Sequence, residues 1–260
     1  MNQHFPSRVI GKLAAAAAIG CVGFAAPQAD AGLLIDLRAT TLNGQPLPAG
    51  GNSTSKFVYV APGDQVGINA YAVVSGSNAL NDEGFQNIHG VFHSTTGGLL
   101  GNLTDSKVIA PFNGPSSQNG SSVDFDNDGD LDIGGSNNVQ DAAAVLVARA
   151  TSMQDGVILV GAQPAAEEFL LGSMTFTALT GEGQSLINFL LRLNPNGTPT
   201  ISYATWLEDG VARNGVSPWD ASGVVMNGVP EPSGLTLVGM AAIALLGRGR
   251  RREEVKNSPA

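Results

Sequence analysis

Leu33-Leu34-Ile35-Asp36-Leu37-Arg38-Ala39-Thr40 decides the fold class. Ile35, Leu37 and Ala39 fall on one face and Asp36, Arg38 and Thr40 on the other, the period-two pattern of a strand buried on one side. Working outward from it, the same vocabulary recurs. Residues 56–60 form a second strand pattern, ended by Pro62-Gly63-Asp64. Residues 66–74 form a third, with Val66, Ile68, Ala70 and Ala72 on one face. Further strand patterns occupy 88–93, 142–150, 157–160, 169–178, 185–193 and 200–206, of which 142–150 is ambiguous because alanine also favours helix. Asn43-Gly44, Gly50-Gly51-Asn52, Gly97-Gly98, Asn119-Gly120 and Asn196-Gly197 are the turn signals between them. Short strands with regular breaks predict an all-β domain over 32–206, a single antiparallel β-sandwich or jelly roll. Residues 207–229, which carry Gly210, Gly215, Pro218, Gly223 and Gly228, read as a last strand or two followed by a flexible tether.

Composition limits the function classes. The chain has 260 residues, of which 34 are glycine and only 13% are charged, yet 43% are hydrophobic, enough for a core. The net charge of −9 argues against nucleic acid as a partner. A single cysteine excludes a disulfide scaffold and a cysteine-built zinc or iron–sulfur site.

Both ends read as addresses. Arg8 and Lys12 precede an apolar run over 13–26, and Ala29-Asp30-Ala31 offers a small-x-small cleavage pattern, so residues 1–31 read as a secretory signal helix handled by the Sec export machinery. An uncleaved anchor is the competing reading. Ala18-Ile19-Gly20-Cys21 loosely resembles a lipoprotein box, with Ala18 where leucine is usual. At the other end, Val229-Pro230-Glu231-Pro232-Ser233 leads into an apolar stretch over 234–247, closed by Arg248, Arg250, Arg251 and Arg252. A helix of that length spans about 21 Å, short of the roughly 30 Å hydrocarbon core. The arginines would stay cytoplasmic, leaving Pro230-Glu231-Pro232 on the far side of the inner membrane, with 253–260 as a cytoplasmic tail. The order of the three parts over 229–252 resembles the PEP-CTERM sorting signal of Gram-negative bacteria. That resemblance implies recognition by an exosortase, a transpeptidase-like membrane enzyme, and delivery to the cell surface or an exopolysaccharide matrix. An ordinary C-terminal anchor helix is the alternative. Seven of the thirteen basic residues and four of the twenty-two acids lie in the two ends, which leaves 32–229 with six basic and eighteen acidic residues, a net of −12.

One stretch carries chemistry. Asp124-Phe125-Asp126-Asn127-Asp128-Gly129-Asp130-Leu131-Asp132 matches D-x-D-x-D-G-x-x-D. Short carboxylates at alternating positions can converge on one hard cation that wants six to eight oxygens, and Gly129 permits the sharp turn. Asp130 is expected to donate its backbone carbonyl, Asp132 a carboxylate directly or through water, and Leu131 an apolar anchor. The pattern resembles the calcium loops of EF-hands, dockerins and extracellular FG-GAP-type repeats, with Asp124, Asp126, Asp128 and Asp132 at their ligand positions. It departs from the EF-hand at Gly135, where a bidentate glutamate would stand. That departure and the single copy favour a structural Ca2+ site of about 10⁻⁴–10⁻³ M affinity. A solvated acidic loop is the competing reading.

Other candidates are weaker. His89 and His93 lie in a strand pattern about 13 Å apart, too far to share one metal. Asp82-Glu83, Glu167-Glu168 and Glu208-Asp209 could serve a glycosidase, but solvated turns explain them as well. Trp206 and Trp219 are the aromatics available for sugar stacking, with core filling as the alternative. Residues 61–66, the Val73-Val74 pair and 171–176 resemble strand pieces of cohesin-type sandwiches, which implies a jelly-roll-like fold. The reading is an exported, non-enzymatic surface or matrix protein with a structural Ca2+ site. Its alternative is a recognition module that binds polysaccharide or a partner protein on a sheet face.

Overall fold

A computed structural model describes residues 32–47, 53–124, 126–134, 146–160, 165–191, 204–215 and 219–229. The expected signal helix with Ala29 and Ala31, the apolar helix of the tail and the tail motif residues all lie outside the described residues.

The described residues form strands and no helix. In chain order the strands are β1 (Gly32–Leu42), β2 (Gln45–Pro46), β3 (Phe57–Val60), β4 (Gln65–Ser75), β5 (Gly84–Gly97) and β6 (Gly101–Val108). Next come β7 (Gln118–Asn119), β8 (Ser122–Val123), β9 (Asp132–Ile133), β10 (Leu146–Gln154), β11 (Val157–Ile158) and β12 (Ala166–Ala178). The last are β13 (Gln184–Leu191), β14 (Ala204–Glu208), β15 (Val211–Gly215), β16 (Trp219–Ser222) and β17 (Val224–Gly228). They make two sheets. One runs β11-β12-β4-β1-β16, with β2 on β1 and β6 on β12. The other runs β15-β14-β5-β13-β17-β3, with β9 and β10 also on β5.

The opening octapeptide lies where its alternation puts it, mid-sheet between β4 and β16. Ile35, Leu37 and Ala39 are opposite Ala72, Ala70 and Ile68 of β4, and all six are buried. On the far side of β4, Ala72, Ile68 and Val66 meet Phe169, Met174 and Phe176 of β12. These side chains join Phe85, Ile88, Phe92, Phe189, Val224 and Met226 from the second sheet in one core cluster. Phe85 packs edge-on to Phe112, with centroids 5.4 Å apart, and tilted against Phe169 at 5.7 Å, so aromatic contacts stitch the two sheets together. The outer face of β1 is polar, as its pattern requires. Arg38 Nε donates to Asp36 at 2.6 Å, a second guanidinium nitrogen pairs with Glu168 of β12, and the group stacks 4.4 Å above the Tyr71 ring. Lys56 pairs with Asp36 and donates to the carbonyls of Leu37 and Ser222.

Two expectations need correction. The sheets are mostly antiparallel, but β16 runs parallel to β1 and β3 runs parallel to β17. Residues 219–228 are no tether, because β16 and β17 are paired strands. Val224 and Met226 are fully buried, and β17 lies between β13 and β3. The glycines there mark close approach rather than freedom: a Cβ on Gly228 would lie 2.6 Å from the Gly181 backbone.

Candidate metal centre

The Asp-rich stretch is the tip of a short hairpin. Ser122 and Val123 of β8 pair with Ile133 and Asp132 of β9, and Ile133 pairs with Phe92 of β5. The hairpin is fastened to the core by Ile133, which is 1% exposed. Leu131, the expected apolar anchor, is only half-buried and works through its backbone. Its N–H donates to Asn102 Oδ1 at 3.1 Å and its carbonyl accepts from Leu103 N–H at 2.7 Å.

Within the tip, each carboxylate turns the chain back on itself. Asp124 Oδ2 accepts from Gly129 N–H at 3.2 Å, Asp126 Oδ1 from Asp128 N–H at 3.3 Å, and Asp128 Oδ1 from Asp130 N–H at 3.2 Å. Asn127 and Gly129 hold φ of 64° and 100°, the left-handed conformations that so tight a path needs. The wrapping brings one oxygen from each of Asp124, Asp126 and Asp128 within 4.8 Å of the others.

Two further side chains complete the cluster. Asp126, His93 and Asp132 also offer ligand atoms within 4.8 Å of one another. His93 Nε2 lies 3.0 Å from Asp126 Oδ2. Asp132 is fully buried, and its Oδ1 accepts from Ser94 N–H of β5 at 2.7 Å. The two histidines do lie in one strand as expected, but His93 is more than an ordinary strand residue, because it faces the acidic tip. Sequence spacing could not find it, since 33 residues separate it from Asp126.

Asp130 also differs from expectation. The loop pattern gives it a backbone role, yet its side chain is fully buried and neither carboxylate oxygen has a hydrogen-bond partner of ordinary geometry. Burial above all, with the charges of Asp128 and Asp132 adding to it and Ser94 opposing, pushes its carboxyl up to about 8. Asp124 Oδ1 is likewise buried and unpartnered. A buried, unpaired carboxylate is costly unless it is protonated or holds a cation. With four more aspartates within the same nine residues, this cluster can bind a metal ion.

The remaining candidates separate. Trp206 takes the core-filling alternative and not the stacking one: it is 1% exposed, with Nε1 donating to Glu208 Oε2 at 3.4 Å. Trp219 lies in β16 opposite Leu33, and its side chain is outside the described residues. Pro230, Glu231, Pro232, Arg248, Arg250, Arg251 and Arg252 also lie outside them. Solvated turns do not describe the acid pairs, because Glu83, Glu167 and Glu208 are 2%, 4% and 7% exposed. Asp82, Glu83 and Asp209 are drawn together into a second group. No family model and no curated protein matches the chain.

Proposed function

We propose that this chain is an exported, non-enzymatic surface or matrix protein: a β-sandwich braced by Ca2+ in the 124–132 loop and sorted through its 230–252 tail. The observation that carries the Ca2+ reading is the convergence of Asp124, Asp126 and Asp128, with Asp124 Oδ1 buried and unpartnered among them. At about 5 Å each like-charged pair costs on the order of 1 kcal/mol in water, and more where the dielectric is lower. One divalent cation reverses the sign of that energy. Ca2+ suits the set better than a softer metal because carboxylate oxygens dominate it and the bonding geometry is tolerant. The cation would be bound by Asp124, Asp126, Asp128 and Asp132, with Asp130 and His93 beside them, and its chemistry there is structural.

Export rests on the run and cleavage pattern of 1–31, and release or attachment by an exosortase rests on Pro230-Glu231-Pro232, the apolar stretch and the arginine stop. A β domain of net −12 without a thiol suits the cell exterior.

Thermal melting tests the loop. With an affinity of about 10⁻⁴ M, 1 mM Ca2+ stabilises the folded state by about 1.4 kcal/mol. That is about 3–6 °C in melting temperature for a domain of this size. Chelation should remove the increment and Asp126→Ala should abolish it; equal melting with and without Ca2+ contradicts the reading. For the tail, deletion of 230–260 should leave the protein soluble and mislocalised in its native host, and unchanged surface retention counts against sorting.

A further inference from the structure

A second carboxylate group sits where the connection between β4 and β5 meets the turn between β14 and β15. Asp82 and Glu83 immediately precede β5. Asp209 and Gly210 form the two-residue turn that closes the β14–β15 hairpin, with φ of 52° and 70°, both left-handed as a type I′ turn requires. One carboxylate oxygen from each of Asp82, Glu83 and Asp209 lies within 4.8 Å of the other two.

The three carboxylates have unlike surroundings. Asp209 is well supplied with donors. Its Oδ1 accepts from Ser77 N–H at 2.7 Å and Asn78 N–H at 3.2 Å, and its Oδ2 accepts from the Ser77 hydroxyl at 2.5 Å. The Ser77 hydroxyl first, then these backbone donors, hold its carboxyl below the usual range, so it is an anion at any ordinary pH. Glu83 is the opposite case. It is 2% exposed and neither of its oxygens has a hydrogen-bond partner of ordinary geometry, while Asp82 Oδ1 is buried and unpartnered too. Among the described residues no lysine or arginine forms an ion pair with any of the three; the nearby Arg213 pairs with Glu208 at 3.5 Å, and its charge adds to the lowering of the Asp209 carboxyl. The packing is built around the carboxylates at close range. A Cβ on Gly76 would fall 2.0 Å from Glu83 Oε1 and 2.6 Å from Asp209 Oδ1, so glycine is what lets the chain pass them.

We propose that Asp82, Glu83 and Asp209 form a second divalent-cation site, separate from the 124–132 loop. An oxygen-only donor set selects a hard cation of the Ca2+ class over zinc or copper. The buried Glu83 carboxylate, without an ordinary hydrogen-bond donor and within reach of the anionic Asp209, is placed to serve as a ligand. Once bound, the cation ties the β14–β15 turn to the β4–β5 connection.

Equilibrium dialysis of the full chain against Ca2+ tests this. The wild type should bind two equivalents, Asp126→Ala one, Glu83→Gln one, and the double variant none. Asp82→Asn, a change at a half-buried position, should also lose one equivalent and guards against misfolding of Glu83→Gln. A chelator adds an independent readout. Without metal, Glu83→Gln should melt above the wild type because an unpartnered buried carboxylate is gone; in Ca2+ the order should reverse. Folded Glu83→Gln and Asp82→Asn variants that keep the wild-type stoichiometry overturn the second site. So does an Asp126→Ala variant that binds no Ca2+ at all.

Discussion

Asp130 is the residue whose chemistry is most exposed to test. Its carboxyl is pushed up to about 8 in the folded protein, against about 4 in an unfolded chain. The folded state therefore holds the proton more tightly. Stability from this group is fully present below about pH 4 and is lost as pH rises towards about 8. Asp130→Asn removes the titration, so in chelator the variant and wild type should be equally stable near pH 4 and diverge up to about pH 8, with the wild type the weaker. Urea denaturation across that range measures it; parallel curves contradict the burial argument. The convergence of Asp124, Asp126 and Asp128 was legible in the sequence, because alternating aspartates before a glycine fold the chain back on itself. The role of Asp130 and the presence of His93 were not. Both depend on where β5 passes the loop, which local spacing does not encode.

The strands were legible wherever alternation was clean. β4 buries Val66, Ile68, Ala70 and Ala72 on one face, as its pattern requires. The Asn43-Gly44 signal became a two-residue turn with φ of 51° and 75°, joining Leu42 to Gln45. β6 was missed for a physical reason. Only Leu103 and Val108 mark its core face, and Asp105, at φ 53°, interrupts the period. Residues 207–229 read as a last strand or two and a tether, but strands continue to Gly228, because glycine-rich composition suggests freedom where the structure uses it for close packing. A chain ending at 206 loses β17, and with it Val224 and Met226, and leaves β13 and β3 without their shared neighbour. Losing a buried side chain of the size of Met226 alone costs about 2–5 kcal/mol, a large share of the whole stability of about 5–15 kcal/mol of a typical domain. Truncation at 206 should give an unfolded or aggregated product by circular dichroism and limited proteolysis, whereas truncation at 229 should not. A cooperative, protease-resistant 1–206 fragment contradicts this assignment of the core.

For the molecule as a whole, the two sheets share one core, and each carboxylate cluster joins segments far apart in sequence. The 124–132 hairpin meets β5, and the β14–β15 turn meets the β4–β5 connection. Cations at such junctions would hold together a body whose net charge of −12 otherwise favours expansion. The most direct test is a crystal structure of the protein grown in millimolar Ca2+, with anomalous differences measured to identify the ion. The account predicts a peak among Asp124, Asp126, Asp128 and Asp132, with oxygens at about 2.3–2.6 Å. A well-ordered aspartate hairpin with no peak there contradicts it.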